Sequence, residues 1–161
     1  MKHLVLVGNP TAQSGKNAAR IERARELFAA RGIEAELLPT LPEGKTIAAV
    51  AARLARAGDG AIVAMGGDGT FREVAAGIVD SGRAEQVVMG MLPTGTANDQ
   101  GKSFGLAASE DALARNVEVV VAGHEGPFFY WIALLFHIAI LFFLVYVWST
   151  GLRMPISELF E

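Results

Sequence analysis

Three short segments of the chain carry residue types suited to holding phosphate: Asn9-Pro10-Thr11-Ala12-Gln13-Ser14-Gly15-Lys16, Gly66-Gly67-Asp68-Gly69-Thr70 and Pro93-Thr94-Gly95-Thr96-Ala97-Asn98-Asp99. Glycines let consecutive backbone N–H groups approach an anion, and a helix that starts beside them adds positive potential at the same point. Gly66 to Thr70 therefore reads as an anion cradle, with Gly67 expected at a positive φ where a branched side chain would be resisted. Asp68 is out of place in a site for bare phosphate, because a carboxylate repels it unless Mg²⁺ or a hydrogen-bond donor intervenes. Nucleotide with Mg²⁺ resolves that conflict. The plainer alternative is a tight turn in which Asp68 caps a helix starting at Thr70. Taken singly, Ser14-Gly15-Lys16 is equally a helix cap, and Asn98-Asp99 equally a turn.

The generic nucleotide signatures are not met. Six residues separate Gly8 from Gly15, and Asn17 stands where a P-loop has Ser or Thr; Arg72 takes the place of the third glycine in G-x-G-x-x-G. With no cysteine, thiolate zinc sites, cysteine nucleophiles and disulfides are excluded. The 14 Lys plus Arg against 17 Asp plus Glu give a formal charge of -3, so no cationic field holds a nucleic-acid backbone and no nucleic-acid partner is expected.

Short strands and amphipathic helices must position these segments. His3–Val7, Ala61–Met65 and Val87–Leu92 are apolar runs that end in the glycine-rich turns and read as buried parallel strands. Glu34–Leu38 and Val117–Val121 are weaker strand candidates. Ile21, Ala24, Leu27 and Phe28 form one helical stripe; Ile47, Val50, Ala51 and Leu54 a second; Phe71, Val74, Ala75, Ile78 and Val79 a third. Gly32, Gly58 and Gly82 follow as helix stops. The order β-α-β-α-β-α-β-(short α)-β predicts a three-layer α/β domain with an open, mostly parallel, Rossmann-like sheet over residues 1–122, whose ligands bind beyond the carboxyl ends of the strands.

The rest of the chain has a different character. No Asp, Glu, Lys or Arg lies between Glu125 and Arg153. After a linker at 123–127, residues 128–150 (FFYWIALLFHIAILFFLVYVWST) would form a helix about 35 Å long, enough to cross a bilayer core of roughly 30 Å. Tyr130, Trp131, Tyr146 and Trp148 lie toward its ends, where amphipathic rings suit the headgroup level, and Pro127 and Gly151 bracket it. One C-terminal transmembrane helix with a short tail at 151–161 is expected. A buried core helix, or a stretch covered by a further domain, is the alternative. The first residues turn polar too soon for a signal peptide, so the expectation is a single-pass membrane protein with its N-terminal domain in the cytoplasm.

The combination NPTAQSGK, GGDGTFREV and MLPTGTANDQG, in that order, resembles the diacylglycerol kinase catalytic domain of bacterial lipid kinases, with sphingosine kinases, NAD kinases and 6-phosphofructokinases more distant. The resemblance covers residues 1–122 and implies an N-terminal domain of the NAD kinase and diacylglycerol kinase type. It implies that Asn9, Ser14, Gly15, Thr40, Gly66, Gly67, Asp68, Gly69, Thr70, Phe71, Arg72 and Thr96 surround ATP. Asn98 and Asp99 would line the same cleft, and Asp68 would meet Mg²⁺ through Mg-ATP. Arg72 stands where the family usually has Asn, and Gln100 where an aromatic commonly follows Asn-Asp. Family members continue into a mainly β domain that supplies the catalytic acids, which leaves the catalytic residues of this chain unknown. The implied function is an ATP-dependent lipid kinase acting on a lipid hydroxyl in the bilayer, with another chain or a longer gene product supplying the second domain. A non-catalytic, membrane-anchored nucleotide-binding module, such as a truncated gene product, is the alternative. A kinase of a soluble metabolite, resembling NAD kinase, ranks last.

Overall fold

The computed structural model describes residues 1–56 and 60–125, and one compact unit spans Met1–His124. Its elements are β1 (His3–Gly8), α1 (Lys16–Ala29), β2 (Glu34–Pro39), α2 (Lys45–Arg56), β3 (Ala61–Gly66), α3 (Asp68–Asp80), β4 (Val88–Pro93), α4 (Asp99–Ser103) and α5 (Ala112–Glu125), with a 3-10 turn at Gln13–Gly15 before α1. The expected transmembrane segment at 128–150, the tail after it and the helix stop at Gly58 lie outside the described residues. Among the described residues, no helix is long and apolar enough to cross a membrane.

The four strands form one parallel sheet in the order β2-β1-β3-β4, with Val5 of β1 opposite Glu36 of β2 on one side and Ile62 of β3 on the other. Leu4, Val5, Leu6 and Val7 of β1 are fully buried, as expected of a strand covered on both faces. β2 is an edge strand and keeps Glu34 and Glu36 exposed, the charged edge that discourages pairing with another chain.

Two cores make the domain three-layered. On one face Ile21, Ala24 and Phe28 of α1 and Leu113 and Val117 of α5 pack with Leu4, Leu6, Val63 and Met65. On the other, Val50 and Leu54 of α2 and Val74 and Ile78 of α3 pack with Val5, Val7, Ile62 and Ala64. This division follows from crossover handedness: β1 to β2 and β2 to β3 travel in opposite directions along the sheet, so right-handed connections put α1 and α2 on opposite faces. Gly77 lets α3 approach α2 closely, since a Cβ there would lie 2.6 Å from Val50 Cβ.

Helix ends follow the sequence closely. Gly32 has φ +70°, and the Ile33 amide donates to the Phe28 carbonyl at 3.0 Å, a left-handed stop after α1. Gly82 also takes φ +70° after α3. The reading of Val117–Val121 as a fifth strand is corrected: these residues lie inside α5. Leu113, Asn116 and Val117 are buried at helical spacing, and Asn116 Nδ2 donates to the Ala107 carbonyl at 2.7 Å, so a polar residue sits in the buried stripe. Val79, counted in the apolar stripe of α3, is 67% exposed and does not join the core.

Candidate functional site: a cleft at the switch point of the sheet

Chain order reverses between β1 and β3: from β1 the chain moves to β2 on one side, and from β3 to β4 on the other. The loops after these strands part at that point and leave a crevice. A cleft of 390 Å³ occupies it, lined by Asn9, Ala12, Gln13 and Asn17 after β1, Thr40 and Leu41 after β2, Met65, Gly66, Gly67, Gly69, Thr70 and Glu73 around the start of α3, and Thr94, Gly95 and Thr96 after β4. That volume lies in the range of small-ligand sites.

The glycines of the cleft have different reasons to be glycine. A Cβ on Gly95 would come within 2.6 Å of Gly67 Cα, so the turns after β3 and β4 touch backbone to backbone. A Cβ on Gly66 would meet Thr70 Oγ1 at 2.5 Å. Gly69 differs, for a Cβ there meets nothing within 4 Å and its φ is not left-handed. The fold does not require glycine at position 69; a ligand approaching the first turn of α3 would. Gly67 has φ -92° and ψ -170°, so the expected positive φ is corrected to extended backbone, and a Cβ there would meet Gly95 Cα at 3.4 Å, an ordinary contact; of the two touching glycines it is Gly95 that has no room for a side chain. The first-turn amides of α3 have no intrahelical acceptors and supply donors for an anion.

Side chains tie the loops to one another. Asp68 accepts the Gln100 amide at 2.9 Å on Oδ1 and the Asp99 amide at 3.1 Å on Oδ2. The Gln100 amide, and next the Asp99 amide, hold the Asp68 carboxyl below the ordinary carboxylate range. Asn98 is buried with φ 51°; its Oδ1 accepts the Gly95 amide at 2.9 Å and its Nδ2 donates to the Gly95 carbonyl. Gln13 Nε2 donates to the Thr94 carbonyl at 2.5 Å, linking the first and last loops. Asn9 Oδ1 accepts the Thr11 amide at 3.0 Å and the Thr11 hydroxyl at 2.9 Å, which shapes the turn leaving β1. On the β2 side, buried Thr46 accepts the Leu41 amide at 3.0 Å and donates to the Leu41 carbonyl at 3.1 Å, fixing the loop beside Thr40.

Of the residues singled out from sequence, Asn9, Thr40, Gly66, Gly67, Gly69, Thr70 and Thr96 line the cleft. Ser14 and Gly15 do not; they lie in an exposed turn with φ 57° and 86°. Asp68 spends both oxygens on α4, Asn98 braces its own loop, and Asp99 is exposed and paired with Lys102 Nζ at 3.1 Å. Phe71 stacks obliquely on Phe104 with centroids 6.3 Å apart, and Arg72 is exposed on α3. Gln13, Asn17, Glu73, Thr94 and Gly95 line the cleft without having been assigned to it. Glu73 was legible, being four residues past Gly69 and thus on the same face of α3. Nothing in the sequence marks Asn17 beyond its failure to be a P-loop Ser or Thr.

The site fits a nucleotide on two counts. One is the open first turn of α3 at Gly69. The other is Asn17 Oδ1, a buried acceptor without a hydrogen-bond partner among the described residues, in a residue that lines the cleft. Among the described residues, no group of three or more His, Cys, Asp or Glu side chains forms a metal cage. A divalent ion would therefore be held largely by phosphate oxygens, with Glu73 the carboxylate on the cleft wall.

Comparison with known proteins agrees with this architecture. The chain is 30% identical over 113 residues to a protein of Klebsiella pneumoniae (strain 342) described as "Probable lipid kinase YegS-like", covering 70% of this chain and 36% of that protein. A protein of the same description from Enterobacter sp. (strain 638) is 39% identical over 62 residues, 38% of this chain and 20% of that one. The chain thus spans about a third or less of the length of these relatives. A solved diacylglycerol kinase structure from Bacillus anthracis str. Sterne superposes with a TM-score of 0.60 at 22% identity, covering 76% of this chain and 43% of that one, which shows the shared fold. The family model for the diacylglycerol kinase catalytic domain matches residues 3–128, a stretch that includes all three loops of the cleft, and the chain belongs to that family.

Proposed function

We propose that this chain is the nucleotide-binding part of an ATP-dependent lipid kinase, and that the cleft between β1 and β3 receives Mg-ATP. The observation that carries this reading is Gly69, a glycine whose absent side chain leaves room for a ligand and not for protein, at the amide-rich start of α3. ATP supplies the phosphoryl group. The chain's own part is to bind and orient: the α3 amides face the phosphates, Thr70 and Thr96 offer hydroxyls, and the Gly67–Gly95 contact keeps the two turns at a fixed spacing. A triphosphate beside Glu73 meets like charge, which Mg²⁺ between them relieves. Asp68 is read as the clamp that holds α4 against α3, in place of a metal ligand. Phosphoryl transfer depends on aligning the acceptor hydroxyl with the phosphate, and the cleft carries no second carboxylate among its lining residues to take the acceptor's proton.

A nucleotide-binding module without turnover is the second reading, supported by the cleft lining, in which Glu73 is the one carboxylate among the described residues. One experiment separates the two. MgATP at about 100 times its dissociation constant should stabilise the chain by roughly 2.7 kcal/mol. Labelled phosphate transfer to diacylglycerol in mixed micelles should stay near background and rise when the remaining part of a related lipid kinase is added, since lost base catalysis alone removes a factor of roughly 10² to 10⁴. Absence of any MgATP-dependent shift would defeat both readings. Robust transfer by the chain alone would show that the catalytic group lies within it.

The same reading places the protein at the membrane that holds its substrate, with residues 128–150 as the anchor and the nucleotide cleft on the cytoplasmic side. It is supported by the 23-residue run without charge.

A further inference from the structure

Asn17 is 2% exposed and lines, from the first turn of α1, the same cleft as the glycine turn of α3. Its amide has two ends with different fates. Nδ2 donates to the Asn9 carbonyl at 2.7 Å, and because a carbonyl can only accept, that bond fixes which end is nitrogen. Oδ1 is left as a buried acceptor without a partner among the described residues. Such an oxygen carries the desolvation penalty of an unmade hydrogen bond. It repels phosphate oxygens and attracts an N–H or O–H group.

The segment beside it holds an uncommon backbone conformation. Gln13 and Ser14, neither of them glycine, have φ 53° and 57°, a sparsely populated conformation for such residues. The link from Gln13 Nε2 to the Thr94 carbonyl spans the cleft next to Asn17. Asn17 Oδ1 is buried in this arrangement, in a residue that lines the cleft.

We propose that Asn17 is a specificity residue of the cleft, whose Oδ1 accepts a hydrogen bond from the nucleoside part of the bound nucleotide, either the exocyclic amino group of the base or a ribose hydroxyl. The inference rests on the nucleotide reading above. With the phosphates at the α3 amides, the nucleoside is the part of the ligand that carries donors, and Asn17 is a buried acceptor prepared for one.

The test measures affinities of the full chain for ATP, purine riboside triphosphate, 2′-deoxy-ATP and 3′-deoxy-ATP, each with Mg²⁺. In the wild type, one analogue should bind about threefold to tenfold more weakly than ATP, the range of one neutral hydrogen bond, and its missing group identifies the donor. Asn17→Leu should close that gap by weakening ATP to the level of that analogue. Asn17→Asp, which keeps an acceptor oxygen while losing the bond to Asn9, should retain the gap. Equal wild-type affinity for all four nucleotides, or a gap that persists in Asn17→Leu, overturns the proposal. The wild-type comparison decides even where the leucine variant fails to fold. A wild type that binds none of the four defeats the nucleotide reading itself, and this inference with it.

Discussion

A Cβ on Gly69 would touch no protein atom within 4 Å, and the residue occupies the first turn of a helix. Gly69→Ala should therefore hold or raise the melting temperature, since alanine is favoured over glycine in a helix by up to about 1 kcal/mol, while MgATP affinity falls. A variant that binds MgATP as the wild type does would remove the main support for the phosphate position. Gly95→Ala makes the contrast, because its Cβ meets the Gly67 backbone and should lower stability and binding together. Asp68 gives a pH prediction. Its folded carboxyl lies below the ordinary value of 3.8, so its contribution is complete above that value and is lost as pH falls through the lower, folded one. Asp68→Asn should melt lower than wild type at neutral pH, and the difference should close in acid; a difference that stays constant down to about pH 2 would mean that the charge on Asp68 does nothing. At this scale sequence reading found the glycines and threonines, whose types announce phosphate chemistry. It did not show that the Asp68 carboxylate turns to the Asp99 and Gln100 amides, because those donors belong to α4, about thirty positions further along the chain.

Helices and strands were more legible than side chains. The alternation of apolar runs with 3.6-residue stripes fixed four strands and three helices, since each is covered by a neighbouring layer and its pattern records that cover. α5 was missed for two physical reasons. Val117, Val119, Val120 and Val121 are β-branched and favour strands in isolation, and the stripe that makes them helical includes Asn116, a polar residue buried only because Ala107 accepts from it. Its docking is reinforced by Arg31 with Glu118, and by Arg20, which meets Glu110 at 2.5 Å and the Ala108 carbonyl at 2.8 Å just before the helix. The α2–α3 contact carries its own prediction. Gly77→Ala would drive a methyl into Val50 and the Ile47 carbonyl and should destabilise by about 1–3 kcal/mol, read by chemical denaturation, with MgATP affinity per folded molecule unchanged. Loss of affinity in step with stability would show that the spacing of the two helices reaches the cleft.

For the whole molecule, charge and hydropathy bear on the proposed membrane anchor. A formal charge of -3 gives little attraction to anionic lipid, so membrane residence would rest on the uncharged stretch at 128–150. Carbonate and high-salt washes should both leave the full chain in the membrane pellet, and a chain ending at Gly123 should be released. Release of the full chain by either wash would assign that stretch another role. The described unit holds a four-stranded parallel sheet with helices packed on both faces, so the released form should keep its α/β circular-dichroism spectrum.

The central position of β1 also bears on how the chain is made. β1 finds its β2 partner once residue 39 has been synthesised, but its other edge stays bare until β3 follows. At roughly 5–20 residues per second that interval is on the order of one to five seconds. During it, the apolar run Leu4–Val7 presents unpaired backbone of the kind that templates aggregation. Slow translation between Thr40 and Gly66 should therefore lower the yield of folded protein more than equal slowing after β4, where every strand of the sheet already has its neighbours.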